Sequence, residues 1–279
     1  MRFRRFPPTS PTRRCLEDAA FVPRRMTARW RPLPGFLVIG AQRAGTTSLF
    51  QCLGRHPELS AAPIKEVHYF DAHYHRGLDW YRAHFPLGRR GIAGEATPYY
   101  LFHPAVPWRV RAALPDVRLI AILRNPVERA LSHYRHEVRL GFEDAATSSE
   151  AVEFEEARLG GETDRLLTDS RALGYSHNHH SYLSRGEYAR QLQAWYEHFP
   201  REQLLVMSSE RLFADPAGEL ERVMSFLGVA QCDLGAPPHL NAAPGDPADD
   251  ALRARLKEHF RPHNRELFEL LREDLGWGK

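Results

Sequence analysis

The sequence predicts an α/β fold: a central parallel sheet with helices on both faces. Three observations carry this reading. Runs of strand length at 36–39, 92–96, 117–124 and 203–207 are apolar almost throughout rather than alternating, as suits strands buried on both faces. Between them lie stretches with helical spacing, and strands alternating with helices imply parallel pairing. With 279 residues, 43% hydrophobic and 26% charged, the chain is long enough to bury one large core.

Residues 1–34 carry nine Arg against Glu17 and Asp18, so this segment is +7 and the body from Gly35 onward is −4 within a net of +3. Six prolines and no apolar periodicity make 1–34 read as a disordered basic tail, with 35–279 as the folded domain. Arginine-rich composition alone does not make a nucleic-acid arm, and no nucleic-acid partner is expected. Arg4 and Arg5 are followed by Pro7 and Pro8 rather than an apolar export segment, and no run is long enough to cross a bilayer. Cys15, Cys52 and Cys232 are widely spaced, which implies neither a disulfide framework nor a zinc site and suits a cytoplasmic protein.

Within the domain, the run at 36–39 leads into Gly40-Ala41-Gln42-Arg43-Ala44-Gly45-Thr46-Thr47-Ser48 and a helix over 47–54 that His56 and Pro57 end. Residues 58–76 have mixed character, and 77–85 reads as a short helix. A buried strand at 92–96 and a helix at 106–114, stopped by Pro115, follow. After the strand at 117–124, Asn125 and Pro126 open a helix with Val127, Ala130, Leu131, Tyr134 and Val138 at helical spacing. Residues 141–181 are polar and read as short helices and loops over a binding face. An amphipathic helix over 185–199, a strand at 203–207 and a helix at 216–227 come next. A loop over 230–250 and one or two helices over 250–275 complete the chain, with no internal repeat.

Two glycines where a strand becomes a helix let several N–H groups converge on one point, and the helix N-terminus adds unpaired donors and a positive dipole end. Such a loop binds phosphate or sulfate. The spacing from Gly40 to Gly45 is that of a Walker A loop, but Thr46 stands where the phosphate-reaching Lys belongs, and Arg43 is the loop's one cation. The loop is thus an anion cradle not built to hydrolyse a nucleoside triphosphate. A second candidate is Arg124, at the carboxyl end of its strand, with Ser132 eight residues on. An Arg fork and a hydroxyl suit a second phosphate; a capping Arg and a surface Ser are the alternative on spacing alone.

The loop motif with Arg124-Asn125-Pro126 and Ser132 resembles the two nucleotide-binding motifs of sulfotransferases that use 3′-phosphoadenosine 5′-phosphosulfate (PAPS). Lys65-Glu66-Val67-His68-Tyr69-Phe70-Asp71, Gly77-Leu78-Asp79-Trp80-Tyr81, Leu183-Ser184-Arg185-Gly186-Glu187-Tyr188 and Pro262-His263-Asn264 are similar to the heparan sulfate sulfotransferase branch. The resemblance runs from about residue 35 to the C-terminus. It implies a P-loop fold like that of nucleotide kinases and PAPS as co-substrate. It further implies that residues Gly40 to Ser48 hold the 5′-phosphosulfate, with Thr46 and Thr47 contributing hydroxyls. Arg43 would neutralise charge on the leaving phosphate oxygen, and Arg124 and Ser132 would hold the 3′-phosphate, with Arg185 as a substitute for the family's covering basic loop. Glu66 matches the base that removes the acceptor's proton, and His68 and Asp71 match its neighbours. Ala96 stands where heparan sulfate enzymes commonly have a Lys. The acceptor implied is a small molecule or a glycan, with a carbohydrate or glycolipid foremost, accepting through a hydroxyl or amine.

Two rivals stay open at this stage: a P-loop kinase, against which Thr46 speaks, and a silent PAP-binding module, against which Glu66 speaks. Sulfuryl transfer requires no metal. The histidine groups His68, His73, His75 and His177, His179, His180 lack a Cys partner, so no metal is expected.

Overall fold

The structure, a computed structural model, describes residues 21–88, 91–238 and 250–277. Its centre is a five-stranded sheet: β1 (Phe36–Gly40), β2 (Leu59–Ala61), β3 (Ile92–Ala96), β4 (Arg118–Leu123) and β5 (Leu204–Ser208). The strand order is β2-β3-β1-β4-β5, and every pairing is parallel. All five residues of β1 and the last five of β4 are buried. Because successive side chains point to opposite faces, burial of both parities means both faces of the sheet are covered.

The described helices in chain order are α1 (residues 21–26), α2 (Thr46–Leu53), α3 (Leu78–Arg82), α4 (Val106–Ala113), α5 (Pro126–Leu140), α6 (Ser148–Leu159), α7 (Glu162–Thr168) and α8 (Tyr175–His179). They continue with α9 (Tyr188–Tyr196), α10 (Ser209–Ala214), α11 (Pro216–Leu227) and α12 (Asp250–Leu271), the last packing on α9 and α5. Helix α5 starts where its sequence says it should. Pro126 sits at the first helical position and the Asn125 side chain accepts from Val127 N at 3.0 Å. Gly141, in the left-handed region at φ 77°, ends it.

The sheet core depends on Gly94. A Cβ there would lie 2.1 Å from the Phe36 ring, so β3 approaches β1 closely only because position 94 has no side chain.

Two expectations change. The stretch 21–34, expected as part of a disordered tail, is ordered against the domain, while residues 1–20 lie outside the described residues. Arg24 Nε donates to Ala83 O (2.7 Å), and Arg31 Nη1 donates to Phe85 O (2.6 Å). Phe21 packs on His84, with ring centroids 4.5 Å apart. The positive charges that make this segment look unfoldable are what fasten it, by satisfying carbonyls at the frayed end of α3. The helix expected from Arg185 begins only at Tyr188; Ser184–Gly186 is a 3-10 turn. Of the loop expected at 230–250, residues 239–249 lie outside the described residues.

Candidate active site

From β1 the chain passes to the β2–β3 side of the sheet, whereas from β4 it passes to β5 on the other side. The carboxyl ends of β1 and β4 therefore flank a topological switch point, the crevice in which parallel α/β sheets bind ligands. The Gly40–Gly45 loop leaves one side of this crevice, and Arg124 leaves the other.

The loop is rigidly seated. Ala41 N donates to Ile122 O on β4 (2.6 Å) and Ala44 N to Ala41 O (3.2 Å). Arg43 and Gly45 both take positive φ, 71° and 98°, and Gly45 caps α2 in the left-handed region. Thr46 and Thr47 open α2, where the helix's first N–H groups have no intrahelical acceptor. Ser48 is different. It is buried, and its hydroxyl donates to Pro238 O at 2.6 Å, so the side chain expected at the donor instead fastens the 230–238 segment to α2.

Arg43 reaches out of the loop to α5, where its Nε donates to Ser132 Oγ at 3.0 Å. Arg124 Nη1 donates to Arg43 O at 3.1 Å. The loop and the Arg124–Ser132 pair, separate in sequence, thus form one continuous group bridged by Arg43. Burial, then the neighbouring Arg139 and Arg124, draw the Arg43 guanidinium down to about 10, so it is charged at neutral pH. Arg135 adds to the same crowding, and its Nε is buried without a hydrogen-bond partner. Crowded guanidinium groups with an orphaned donor fit a phosphate-bearing ligand, which would relieve the mutual repulsion. Arg135 and Arg139 do not stand out in the sequence, although their spacing from Ser132 places them near it on α5.

Arg185, expected over the 3′-phosphate, faces inward. It is 1% exposed, its Nη1 donates to Gln42 Oε1, and its Nη2 donates to the carbonyls of His177 (3.0 Å) and Asn178 (2.9 Å). Tyr99 and Phe102 cover the guanidinium at 5.0 and 5.1 Å. It therefore braces the loop from behind through Gln42, and its Nε is buried without a hydrogen-bond partner.

Glu66 lies just beyond the carboxyl end of β3, its N–H donating to Ala96 O at 2.9 Å, while Ala96 pairs with Val38 of β1. This sets Glu66 next to the start of the loop. Glu66 and His68 each adopt left-handed backbone, at φ 63° and 54°, which is strained for side-chain-bearing residues and recurs at functional sites.

Glu66, His68 and Asp71 form a chain. His68 Nδ1 is 2.6 Å from Asp71 Oδ2, and His68 Nε2 is 3.8 Å from Glu66 Oε2. Asp71 is buried, while Glu66 is 47% exposed and pairs with Lys65. Burial alone would lower the imidazole, but Asp71 and then Glu66 overcome this and hold it at about 10. Burial alone would likewise raise the Glu66 carboxyl, yet the nearby His68 imidazolium and the Lys65 ammonium keep it down at about 2. At neutral pH Glu66 is therefore ionised, next to an imidazole that is charged as well. Behind them, buried Glu95 accepts from Tyr81 Oη at 2.9 Å, and burial pushes its carboxyl up to about 7. Of the histidine groups that stand out in the sequence, His68 belongs to this chain, while in the second group His177 bonds Tyr99 Oη (2.8 Å) and His179 bonds Glu137 (2.8 Å).

Residues 33–234 match the family described as a sulfotransferase domain. Heparan sulfate glucosamine 3-O-sulfotransferase 6 of Homo sapiens is 34% identical over 273 residues, covering 89% of this chain and 75% of that protein. Bifunctional heparan sulfate N-deacetylase/N-sulfotransferase 3 of Homo sapiens is 32% identical over 86% of this chain but only 30% of its own length. Among solved structures, a sulfotransferase from Alicyclobacillus acidocaldarius superposes with a TM-score of 0.68 at 30% identity, covering 89% of this chain and 100% of that one.

Proposed function

Because the chain belongs to the sulfotransferase domain family, we propose that it transfers the sulfuryl group of PAPS to a hydroxyl or amine of a glycan, with Glu66 as general base. Membership makes it a PAPS-dependent sulfotransferase; the acceptor class and the roles of the residues are what we add. Glucosamine-containing glycans stand first among acceptors, since the similar human enzymes are named for heparan sulfate glucosamine or heparan sulfate.

The observation that carries the reading is the Glu66–His68–Asp71 chain beside the anion loop. When bound, PAPS supplies an activated sulfuryl group whose leaving atom is a phosphate oxygen. The loop N–H groups with Thr46 and Thr47 hold the phosphosulfate end, and Arg124 and Ser132 hold the 3′-phosphate. Arg43, placed between them, supplies fixed charge to both. A guanidinium does not give up its proton here, so the contribution of Arg43 is electrostatic. Glu66 takes the proton of the acceptor as its oxygen or nitrogen bonds to sulfur, a role that contributes about 10²–10⁴-fold. Its carboxylate is a weak base while Lys65 and His68 both hold it low. An acceptor that enters by displacing Lys65 removes one of those two causes at the moment the base is needed.

Incubation with PAPS and a panel of heparan-type oligosaccharides, simple sugars, glycolipids and phenols tests this by mass spectrometry. A single added sulfuryl group on a glycan is the expected result. Transfer only to phenols would overturn the acceptor class, and PAP binding without any transfer would overturn the catalytic reading.

A further inference from the structure

Away from the donor crevice, three side chains with metal-binding chemistry converge where α12 crosses the start of α9. His259 and His263 are four residues apart on α12 and so share one face of that helix. Glu187 immediately precedes α9 and points its carboxylate at both. His259 Nε2 lies 3.5 Å and His263 Nε2 3.6 Å from the same oxygen, Glu187 Oε1. All three donor atoms lie within 4.8 Å of one another.

These separations are too long for good hydrogen bonds. They are close to what a shared metal ion requires. Zinc bonds of about 2.0–2.1 Å in a tetrahedral array put neighbouring ligand atoms about 3.3 Å apart. A second observation points the same way: the His259 Nε2 atom is itself buried, on a partly exposed ring, and makes no hydrogen bond beyond its long approach to Glu187. Arg190 approaches the other carboxylate oxygen, Oε2, at 3.4 Å, which leaves Oε1 as the single ligand atom.

The frame that holds the three residues is tight. Phe260, between the two histidines, is fully buried, and a Cβ on Gly186 would lie 2.6 Å from its ring. The turn before Glu187 is thus docked directly on α12, so the ligands need little rearrangement to close on an ion. None of the three belongs to the histidine groups that stand out in the sequence, because one ligand comes from a different element more than seventy residues away.

We propose that Glu187, His259 and His263 bind one divalent transition-metal ion of zinc-like preference, pinning α12 to the turn that carries Arg185. Two imidazoles and a carboxylate suit such an ion better than calcium or magnesium, which take oxygen ligands. The role is structural. Arg185, on that turn, holds Gln42 in the anion loop, so the ion steadies the donor site from behind without touching the reacting groups.

Zinc titration of the metal-free full chain, in competition with a chromophoric chelator, tests this. One zinc per chain is expected, together with a higher thermal midpoint. His259→Ala and His263→Ala should each weaken binding at least about 10–100-fold, the loss typical even of residues that only support a ligand. Both should lose the thermal shift while still unfolding cooperatively in the absence of zinc, which shows that they fold. A His73→Ala/His75→Ala variant should bind zinc as the parent does. Absence of binding at micromolar zinc, or binding that survives the His259→Ala/His263→Ala double variant, would overturn the assignment.

Discussion

Asp71→Asn isolates what keeps the His68 imidazole charged. In the structure Asp71 is 2% exposed and 2.6 Å from His68 Nδ1. The ring is held at about 10 against an ordinary 6.5. At 1.36 kcal/mol per pH unit, that difference is at most about 5 kcal/mol. The ring is partly open to water and its other partner, Glu66, is half exposed, so screening reduces the figure. A charge-assisted hydrogen bond of about 1.5–3 kcal/mol is the realistic scale. The direction with pH follows from the raised value. His68 stabilises the fold fully below about pH 6.5 and loses that contribution as pH rises through about 10. Asp71 is depressed by the same pair, after burial that opposes it, so its contribution is present above its ordinary 3.8 and is lost as pH falls. In the variant the ring keeps its desolvation but loses its main counter-charge, so nitrogen NMR should show it neutral at pH 7.5. Glu66 then loses the imidazolium that holds it low, so its carboxyl rises from about 2 and the acid limb of the kcat profile should move to higher pH. A His68 that still titrates above pH 9 in Asp71→Asn would refute this account of the chain.

Glu66→Gln should lower kcat by about 10²–10⁴-fold and leave the PAP dissociation constant within a few fold, measured by calorimetry beside steady-state rates. Arg43→Lys keeps a charge but loses the fork that joins Ser132 to the loop, so PAP affinity should drop about tenfold; unchanged affinity would remove Arg43 from donor binding. Gln42→Ala strands the buried Arg185 Nη1 without its acceptor and should cost about 1–3 kcal/mol in chemical denaturation, with the thermal midpoint falling in step. Gly94→Ala forces a methyl into the Phe36 ring and should destabilise by about 1–3 kcal/mol or prevent soluble expression, whereas a fully stable variant would contradict the packing of β3 on β1.

The sheet was legible where burial leaves a continuous apolar run, as in β1, β3, β4 and β5. It was not legible at β2, whose three residues include Ser60 and give no periodicity to read. The early start assigned to α9 failed because Ser184–Gly186 satisfies helical spacing while being held as a turn, with Gly186 pressed against Phe260. At the site, the motif residues do gather at one crevice, since spacing and strand ends define the loop and Arg124. The direction of each side chain was not in the motif. Ser48 and Arg185 carry the right chemistry but face Pro238 and Gln42, partners 190 and 143 residues away. Arg24 and Arg31 show the same lesson in reverse, because charge that reads as disorder becomes structure once distant carbonyls need donors.

The excursion from α6 to α8, inserted between α5 and α9, adds no strand and so looks like an exchangeable cassette for acceptor choice. Its wiring says otherwise. The carbonyls of His177 and Asn178 hold Arg185, which holds Gln42 of the anion loop, and His179 holds Glu137 on the helix that carries Ser132. Replacing this segment to change the acceptor would loosen the donor loop at the same time. A change in this segment therefore reaches the donor loop, and a grafted segment keeps that loop in place only if it brings back two carbonyls and an imidazole at the same positions.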